Sequence, residues 1–451
     1  MSLSVALNTA VSGLFANQQA IAATSENIAN VNTANFSRRE VNFFTDAIPG
    51  QFAGVSVEVT RAGADRFLQG AGFSSQSDAA SLSAIADALS RVEASLGTPG
   101  DDADFATALS EAYASFAELS AAPNSIAAKA VAISKLDAAF AAFSRTIGAI
   151  DAEAIAADAR LEAQTTRANQ LLEDIFNLNQ IAPESNGAGD EIDGRLAELS
   201  TLINISVSRS DDGRVTVSTA DGRLLANTGG YAALTYTGGA TATVGLANVD
   251  PGSGAQTIAA DNINASITGG EIGGLLQLRN GELPTLRAIV DSAAREAANE
   301  INAAYALNAG VGQTGPGAEP LIVEANGGFS VNANIAGDPL LLAIARPSAG
   351  QHGGANDGAG AGAIAALGSG SSVQNAAQAV TQLGAAARIA GEQGATAARF
   401  ADEIEIRRLS VGGVNLDEEL SNLIQFQRSY NANARVIAAV DELYQSLFSI
   451  L

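Results

Sequence analysis

A run of heptads between two prolines constrains this chain more than any other feature. After Pro123 and before Pro183, Ile126, Ile133, Phe140, Ile147, Ala154, Leu161, Ala168 and Ile175 lie seven residues apart. Their companions read Lys129, Leu136, Phe143, Ile150, Ala157, Gln164, Leu171 and Leu178, so only Lys129 and Gln164 interrupt the double seam. Heptad spacing places both columns on one helix face, and a sustained seam calls for partner helices. The prolines bar continuation at either end. At ~1.5 Å per residue the segment predicts one helix of ~80 Å, which suits a rod-like helical bundle rather than a globule.

Shorter helical patterns precede it, at Leu82, Ile85, Leu89, Val92 and Leu96 and again at Phe105, Leu109, Phe116 and Leu119. Two more follow, from Leu283 to Leu307 and from Val373 to Ile404. The extreme ends are patterned as well. Leu7, Leu14, Ile21 and Ile28 recur at seven-residue spacing with Val11 beside them. At the other end Leu416, Leu423, Tyr430, Ile437, Tyr444 and Leu451 form a ladder joined by Leu420, Ala434 and Phe448. Gln18, Ser25, Gln427 and Asp441 fall at seam positions, so each end is expected to be marginal alone and ordered by pairing.

Between the helices lie β-type segments. "INISVSRSDDGRVTVSTADGRLLA" alternates apolar and polar residues around Asp-Asp-Gly and Asp-Gly, which are hairpin turn signals. Short strands are expected to continue from Tyr231 to Ile272, and others at Leu321–Val323 and Leu340–Ile344. The stretch "GGANDGAGAGAIAALGSGSS" reads as a flexible loop. The expected fold class is mainly α with β insertions: paired N- and C-terminal coiled-coil helices, an elongated helical-bundle stalk and a small outer β region. The expected division is a terminal coiled-coil unit at 1–45 and 412–451 and a helical stalk at 46–203 and 275–411. Within that stalk, 310–372 is a Gly-rich loop and β segment, and 204–274 is the β insertion.

Composition narrows the function classes. A formal net charge of -24 repels phosphate backbones, so no nucleic acid is expected as a partner. With no Cys there is no disulfide framework, zinc ribbon or cysteine nucleophile, and one His (His352) excludes two-histidine metal motifs. Lys129 and Lys135 follow Ala128 and Ser134, so no Gly-Lys-Ser/Thr phosphate loop exists. Gly358, Gly360 and Gly362 follow no convincing strand, and the single Gly-rich stretch around His352 has no calcium-binding periodicity. The acid pairs Asp101–Asp102, Asp211–Asp212 and Glu418–Glu419 are each explained by turns or helix starts, although a glycosidase also needs two carboxylates. No cofactor, metal or catalytic residue is expected. No stretch approaches the ~18 apolar residues of a membrane span, so no membrane insertion is expected. The first base is Arg38, so the N-terminal segment lacks the charged region of a cleaved export signal.

Two end segments carry a resemblance. "NIANVNTANFSRREV" (Asn27 to Val41) is similar to the motif of flagellar rod, hook and hook-associated proteins, with Ala34 and Asn35 where that family usually has Pro-Gly. "GVNLDEELSNLIQFQRSYNANARVIAAVDELYQSLFSIL" resembles the C-terminal helix of the same group. The Ser-Arg after Phe36, with Gly-Val-Asn-Leu-Asp-Glu-Glu, is similar to the hook-associated protein 1 family of hook–filament junction proteins. "GGEIGGLLQLRNGELPTLRAIVDSAAREAANEINAAY" fits the same group, with Tyr305 where many relatives have His.

The resemblance implies a structural subunit of the bacterial flagellum, located outside the cell and exported without a cleaved signal peptide. It implies as partners further copies of the chain in a ring, hook protein, hook-associated protein 3 on the filament side, an export chaperone and the flagellar type III export apparatus. It also implies that Leu7, Val11, Leu14, Ile21, Ile28, Asn30, Asn32, Phe36, Arg38, Leu416, Leu420, Leu423, Tyr430, Ile437 and Tyr444 form the assembly interface. Three other readings compete: a hook or distal rod protein, a secreted carboxylate-based glycosidase, and a stalked adhesin.

Overall fold

Residues Ile126–Ile181 form one uninterrupted helix of 56 residues, about 84 Å long at ~1.5 Å per residue. The Ser125 side chain caps it by accepting from the Ala128 amide at 3.1 Å. The computed structural model describes residues 3–33, 36–48, 51–61, 66–97, 104–182, 186–210, 212–312, 319–325, 327–346 and 353–450. His352, Asp101–Asp102, Asp211, Ala34, Asn35, Pro183 and Leu451 lie outside the described residues, as does the side chain of Phe448.

In chain order the first elements are α1 (Leu3–Ala29), β1 (Arg39–Ile48), β2 (Gln51–Arg61), α2 (Arg66–Ala94), α3 (Phe105–Ala121), α4 (Ile126–Ile181) and α5 (Asn186–Leu202). A β region follows: β3 (Ile205–Arg209), β4 (Val215–Thr219), β5 (Leu224–Ala226), β6 (Tyr231–Thr237), β7 (Thr243–Val249) and β8 (Gln256–Ala260). The chain then runs through α6 (Gly270–Gln277), a π-helical turn at Leu278–Glu282, α7 (Leu283–Tyr305), β9 (Ile322–Ala325), β10 (Gly328–Val331) and α8 (Ala333–Gly337). It ends with α9 (Ala359–Ala365), α10 (Ser371–Gly412) and α11 (Leu416–Ile450). The fold is mainly α with β insertions.

Most α4 heptad positions are buried, with Ile126 exposed and Ala154, Gln164 and Leu178 half-buried, but the buried face is wider than two columns. Ala132, Ala139, Thr146, Thr165, Leu172 and Asn179 are buried beside Ile133, Leu136, Phe140, Phe143, Ile147 and Ile150. Hence α4 takes several shorter partners instead of one equal coiled-coil mate: α3, α5, α6, α7, β6 and β10 all pack on it. Phe105 of α3 stacks on Phe143 at 4.4 Å, and Phe140 meets Phe329 of β10 at 6.1 Å. Lys129 is buried too; its ammonium donates to the Leu342 carbonyl at 3.2 Å, and burial lowers its pKa. Gln164 donates to Glu271 of α6. Ion pairs fix the neighbours' register: Asp151–Arg287 and Asp158–Arg279 toward α7 and the π turn, Arg160–Glu271 toward α6, and Arg167–Glu198 toward α5. Behind this layer α2 and α10 run antiparallel, with Gly394 facing Leu82 and Gly384 facing Glu93.

Six antiparallel strands form one sheet in the order β3-β4-β5-β6-β7-β8, and helix-borne asparagines hold the β segments in place. Asn169 accepts from the Leu234 amide at 2.7 Å and donates to its carbonyl at 2.8 Å. Asn179 does the same to Val215, Asn280 to Ala242 and Asn302 to Ile322, all at 2.8–2.9 Å. Each side-chain amide thus supplies the paired bonds that a neighbouring strand residue would supply. The π turn aims Arg279 and Asn280 together at the β6–β7 connection, where Arg279 also donates to the Gly239 carbonyl at 3.0 Å.

Three expectations are corrected. Strands β1 and β2, Arg39–Ile48 and Gln51–Arg61, pair antiparallel across the expected 45/46 boundary, where a helical stalk was to begin. Alternating Val55, Val57 and Val59 carry this pairing, and the neighbouring heptads obscured that period-two signal. The Gly-rich stretch expected as a flexible loop contains helix α9, with Gly360, Ala361 and Ile364 buried. A Cβ at Gly358 would lie 2.3 Å from the Ser120 carbonyl oxygen, so this glycine serves close packing and not mobility. The expected strand at Leu340–Ile344 is a 3₁₀ turn over Pro339–Leu341 followed by extended chain, from which Ala345 bridges Ala309. Pro339 at its first position favours the turn over a strand.

Candidate functional site

The two ends of the chain lie side by side. Gly13 of α1 faces Asn433 of α11 and Asn27 reaches Glu419, so the helices run antiparallel. The buried face of α1 is made of small and polar residues: Ala10, Gly13, Ala16, Asn17, Ala20, Ala23, Thr24 and Asn27. A Cβ at Gly13 would stand 2.9 Å from the Asn433 side-chain amide, which shows how closely the helices approach. The heptad stripe Leu7, Val11, Leu14, Ile21 and Ile28 lies beside this face and is only half-buried. On α11, Leu423, Tyr430, Ile437 and Tyr444 are half-buried, whereas Leu416 and Leu420 are 44% and 47% exposed.

The expected seam is therefore out of phase. Gln18, Ser25, Gln427 and Asp441, assigned to it from their spacing, all face outward. Spacing identifies a stripe, but the close approach of two backbones selects the neighbouring stripe of small side chains.

Where the helical pair meets the body, both end motifs enter one polar joint. Asn30 folds back on its own helix, donating to the Glu26 carbonyl, and Asn32 is exposed. Asn27 has a different role. Its side chain accepts from the Arg39 amide at 2.7 Å, donates to the Arg39 carbonyl at 2.9 Å, and also donates to Glu419 at 3.1 Å. The chain is extended here, so successive side chains point opposite ways. Arg38 turns to α11 and donates to Glu419 and Glu418, both at 2.7 Å. Arg39 turns to the body and donates to Asp190 of α5 at 2.6 Å and to Glu26 at 3.2 Å, with its guanidinium 5.0 Å above the Phe36 ring.

Arg39 and Arg61 are register partners at the open end of the hairpin. Like charges directly opposite are unfavourable. Asp190 bridges them, one carboxylate oxygen on Arg39 and the other on Arg61 at 2.8 Å. Asp193, one helical turn on, binds Arg61 and also Arg209 of β3. Gly189 makes this possible, because a Cβ there would fall 2.3 Å from the Arg61 guanidinium. Burial alone would lower the Arg38 pKa, but hydrogen bonds and charge from Glu419 and Glu418 outweigh it and raise it. A hydrogen bond donated to Glu405 likewise raises the Arg408 pKa, and Arg408 also feels Asp193. A cavity of about 80 Å³ beside the joint is lined by Phe36, Leu68, Phe73, Asp193, Arg408 and Val411; that is room for a few waters and not for an organic ligand.

This arrangement is suited to holding chain segments together. The Glu418–Glu419 pair, which spacing alone left open to acid–base chemistry, is engaged by Arg38. Among the described residues there is no cluster of metal-binding side chains and no helix long and apolar enough to cross a membrane. Of the expected interface residues, Phe36 and Arg38 lie in the joint, and the leucines and isoleucines lie along the helical pair. Glu26, Asn27, Arg39, Arg61, Asp190, Asp193, Glu418 and Glu419 were not among them. The sequence does mark Asn27, Arg39, Glu418 and Glu419, as a helix stop and a favourable helix start. Nothing local marks Asp190 or Arg61, whose partners are 151 and 132 residues away.

Comparison with known proteins matches the same segments. The flagellar hook-associated protein FlgK helical domain matches residues 89–320, just over half of the 451-residue chain. The flagella basal body rod protein family matches residues 7–36, and the flagellar basal body rod FlgEFG protein C-terminal family matches 408–450. Flagellar hook-associated protein 1 of Bacillus subtilis (strain 168) is 34% identical over 70 residues, which is 16% of this chain and 14% of that protein. Flagellar hook protein FlgE of Caulobacter vibrioides is 56% identical over 45 residues, 10% of this chain and 8% of that protein. The flagellar hook junction protein FlgK from Burkholderia pseudomallei shares the fold, with a TM-score of 0.50 at 22% identity over 57% of this chain and 47% of that chain. The matched stretches span less than half of each relative. With more than half of its length matched by the helical-domain family and both ends matched by axial-protein families, this chain belongs to the flagellar hook-associated protein FlgK family.

Proposed function

We propose that the chain is a structural, non-enzymatic subunit of the bacterial flagellum at the junction between hook and filament. The observation that carries this reading is the interlock of the two ends: residues of both terminal motifs meet at Arg38, Asn27 and Glu419. A terminal unit of α1 and α11 then serves as the assembling part, the helices around α4 as a stiff stalk, and the sheet as an outer insertion. The half-buried Leu7, Leu14, Ile21, Leu423, Tyr430 and Ile437 and the exposed Leu416 and Leu420 become contacts between copies in a ring.

Hook protein lies on one side in this reading and hook-associated protein 3 on the other. The chain reaches the cell exterior through the flagellar type III apparatus, with an export chaperone. A hook bends while a filament stays stiff, and a layer fitting both lattices separates them. The body of large buried side chains around α4 favours this over a hook or rod protein.

Electron microscopy of a gene-deletion strain, with flagellin assayed in the medium, tests the reading. Bare hooks with released flagellin are expected. Missing hooks move the chain down to hook or rod, and normal filaments overturn the flagellar assignment.

A further inference from the structure

We propose that the joint is an elbow with two separate latches: Arg38 locks the two ends of the chain to each other, and Asp190 locks that terminal pair to the helical body. The adjacent arginines point opposite ways, so each serves one latch. Arg38 reaches only α11 carboxylates, Glu418 and Glu419. Arg39 reaches Asp190 and, on the terminal side, Glu26.

Asp190 is the keystone of the second latch because it alone bridges both ends of the hairpin, Arg39 and Arg61. Its other polar contact is with the Ser37 amide at 3.4 Å. Without its charge, two guanidinium groups face each other across the strand pair, and the one carboxylate joining Arg39 to the body is lost. Asp193 still holds Arg61 to α5, so the hairpin remains tethered while its angle is freed. The terminal pair keeps Asn27–Glu419, Arg38–Glu419 and Arg38–Glu418, none of which involves Asp190. The latches share no side chain.

The elbow's use in adapting subunits to two lattices rests on the proposed function; the latches themselves do not. Because the chain has no cysteine, spin labels can be placed freely at exposed positions of the full-length protein. Ser25→Cys with Ser421→Cys reports the terminal pair, and Glu162→Cys with Ala439→Cys reports the angle between α11 and α4. Double electron–electron resonance is then recorded on each pair. Asp190→Asn is expected to broaden the Glu162/Ala439 distance distribution roughly twofold and leave Ser25/Ser421 unchanged. Arg38→Gln is expected to do the reverse.

The proposal is overturned if Asp190→Asn leaves the Glu162/Ala439 distribution unchanged, or if either substitution broadens both pairs together. Should Asp190→Asn lose its far-ultraviolet helical signal, Arg39→Lys decides. It keeps the charge but loses the fork, so a broadened Glu162/Ala439 distribution supports the latch and an unchanged one overturns it. Neither readout depends on assembly in cells, so failure of the latches leaves the junction reading standing, and the reverse.

Discussion

The helices around α4 and the pair α1–α11 are both built on heptads, yet they bury opposite kinds of side chain. The body encloses Phe105, Phe116, Phe140, Phe143, Leu136 and Leu161 almost completely. Helix α1 of the terminal pair buries alanine, glycine, threonine and asparagine, α11 adds only Glu419 and Val440 among its described side chains, and the leucines and isoleucines stay half-buried or exposed. Fully buried large residues supply about 1.5–3 kcal/mol each, whereas a small-residue seam supplies little per position. The body has a large apolar core of its own. The pair is held by close approach and by the polar joint, and it retains apolar surface that further contacts can cover.

Breaking the body gives the largest expected effect. Phe143→Ala removes a ring stacked on Phe105 and is expected to lower stability by about 3–5 kcal/mol in urea unfolding. If instead only the terminal helices melt, the two regions are not independent. Removing the Arg39 guanidinium as Arg39→Ala leaves Asp190 with Arg61 alone and is expected to cost about 1.5–3 kcal/mol locally. Hydrogen exchange should report that loss in the hairpin and the start of α5 while leaving α4 protected.

Gly13→Val places methyl groups against Asn433 and is expected to cost about 1–3 kcal/mol of pairing, read as faster exchange along α1 with the urea midpoint of the body unchanged. Leu423→Asp sharpens the contrast differently. Its side chain is only half-buried in the monomer, so the expected loss is in junction assembly, with the body still folded. Normal filaments from this variant would remove Leu423 from the proposed interface.

Acid gives the smallest effect. Hydrogen bonds from Thr219 and then Ser266 hold Asp221 below the usual carboxylate range, as the Arg167 hydrogen bond does Glu198. A lowered folded pKa means stability that is present above the unfolded value and lost as pH falls through the folded one. The turn before β5 should therefore loosen below pH ~4, seen in amide chemical shifts, and both groups are exposed enough that the change stays small.

The main helix, its bracketing prolines, the strands after Ile203 and the two end motifs were legible because each is a local pattern repeated many times. The β1–β2 pair was missed because its alternation sits beside stronger helical periodicity. The helix after Gly358 was missed because glycine reads as freedom until a neighbour such as Ser120 shows that it is a packing requirement. Asn169, Asn179, Asn280 and Asn302 carry no signal at all, since an asparagine on a helix gains its role only when an extended backbone arrives beside it.

By itself, then, the amino-acid order determined the long helices and the strands after Ile203, how long the central helix runs, and that both ends carry heptad stripes with specific motifs. Those properties follow from periodicity and turn chemistry within a few residues. Only the tertiary structure decided which stripe is buried between α1 and α11, that Arg38 and Arg39 face different partners, and that Asp190 joins Arg39 and Arg61 to the body. The phase of a helix contact and the pairing of charges more than a hundred residues apart depend on where the backbones come to rest, and close packing sets those positions.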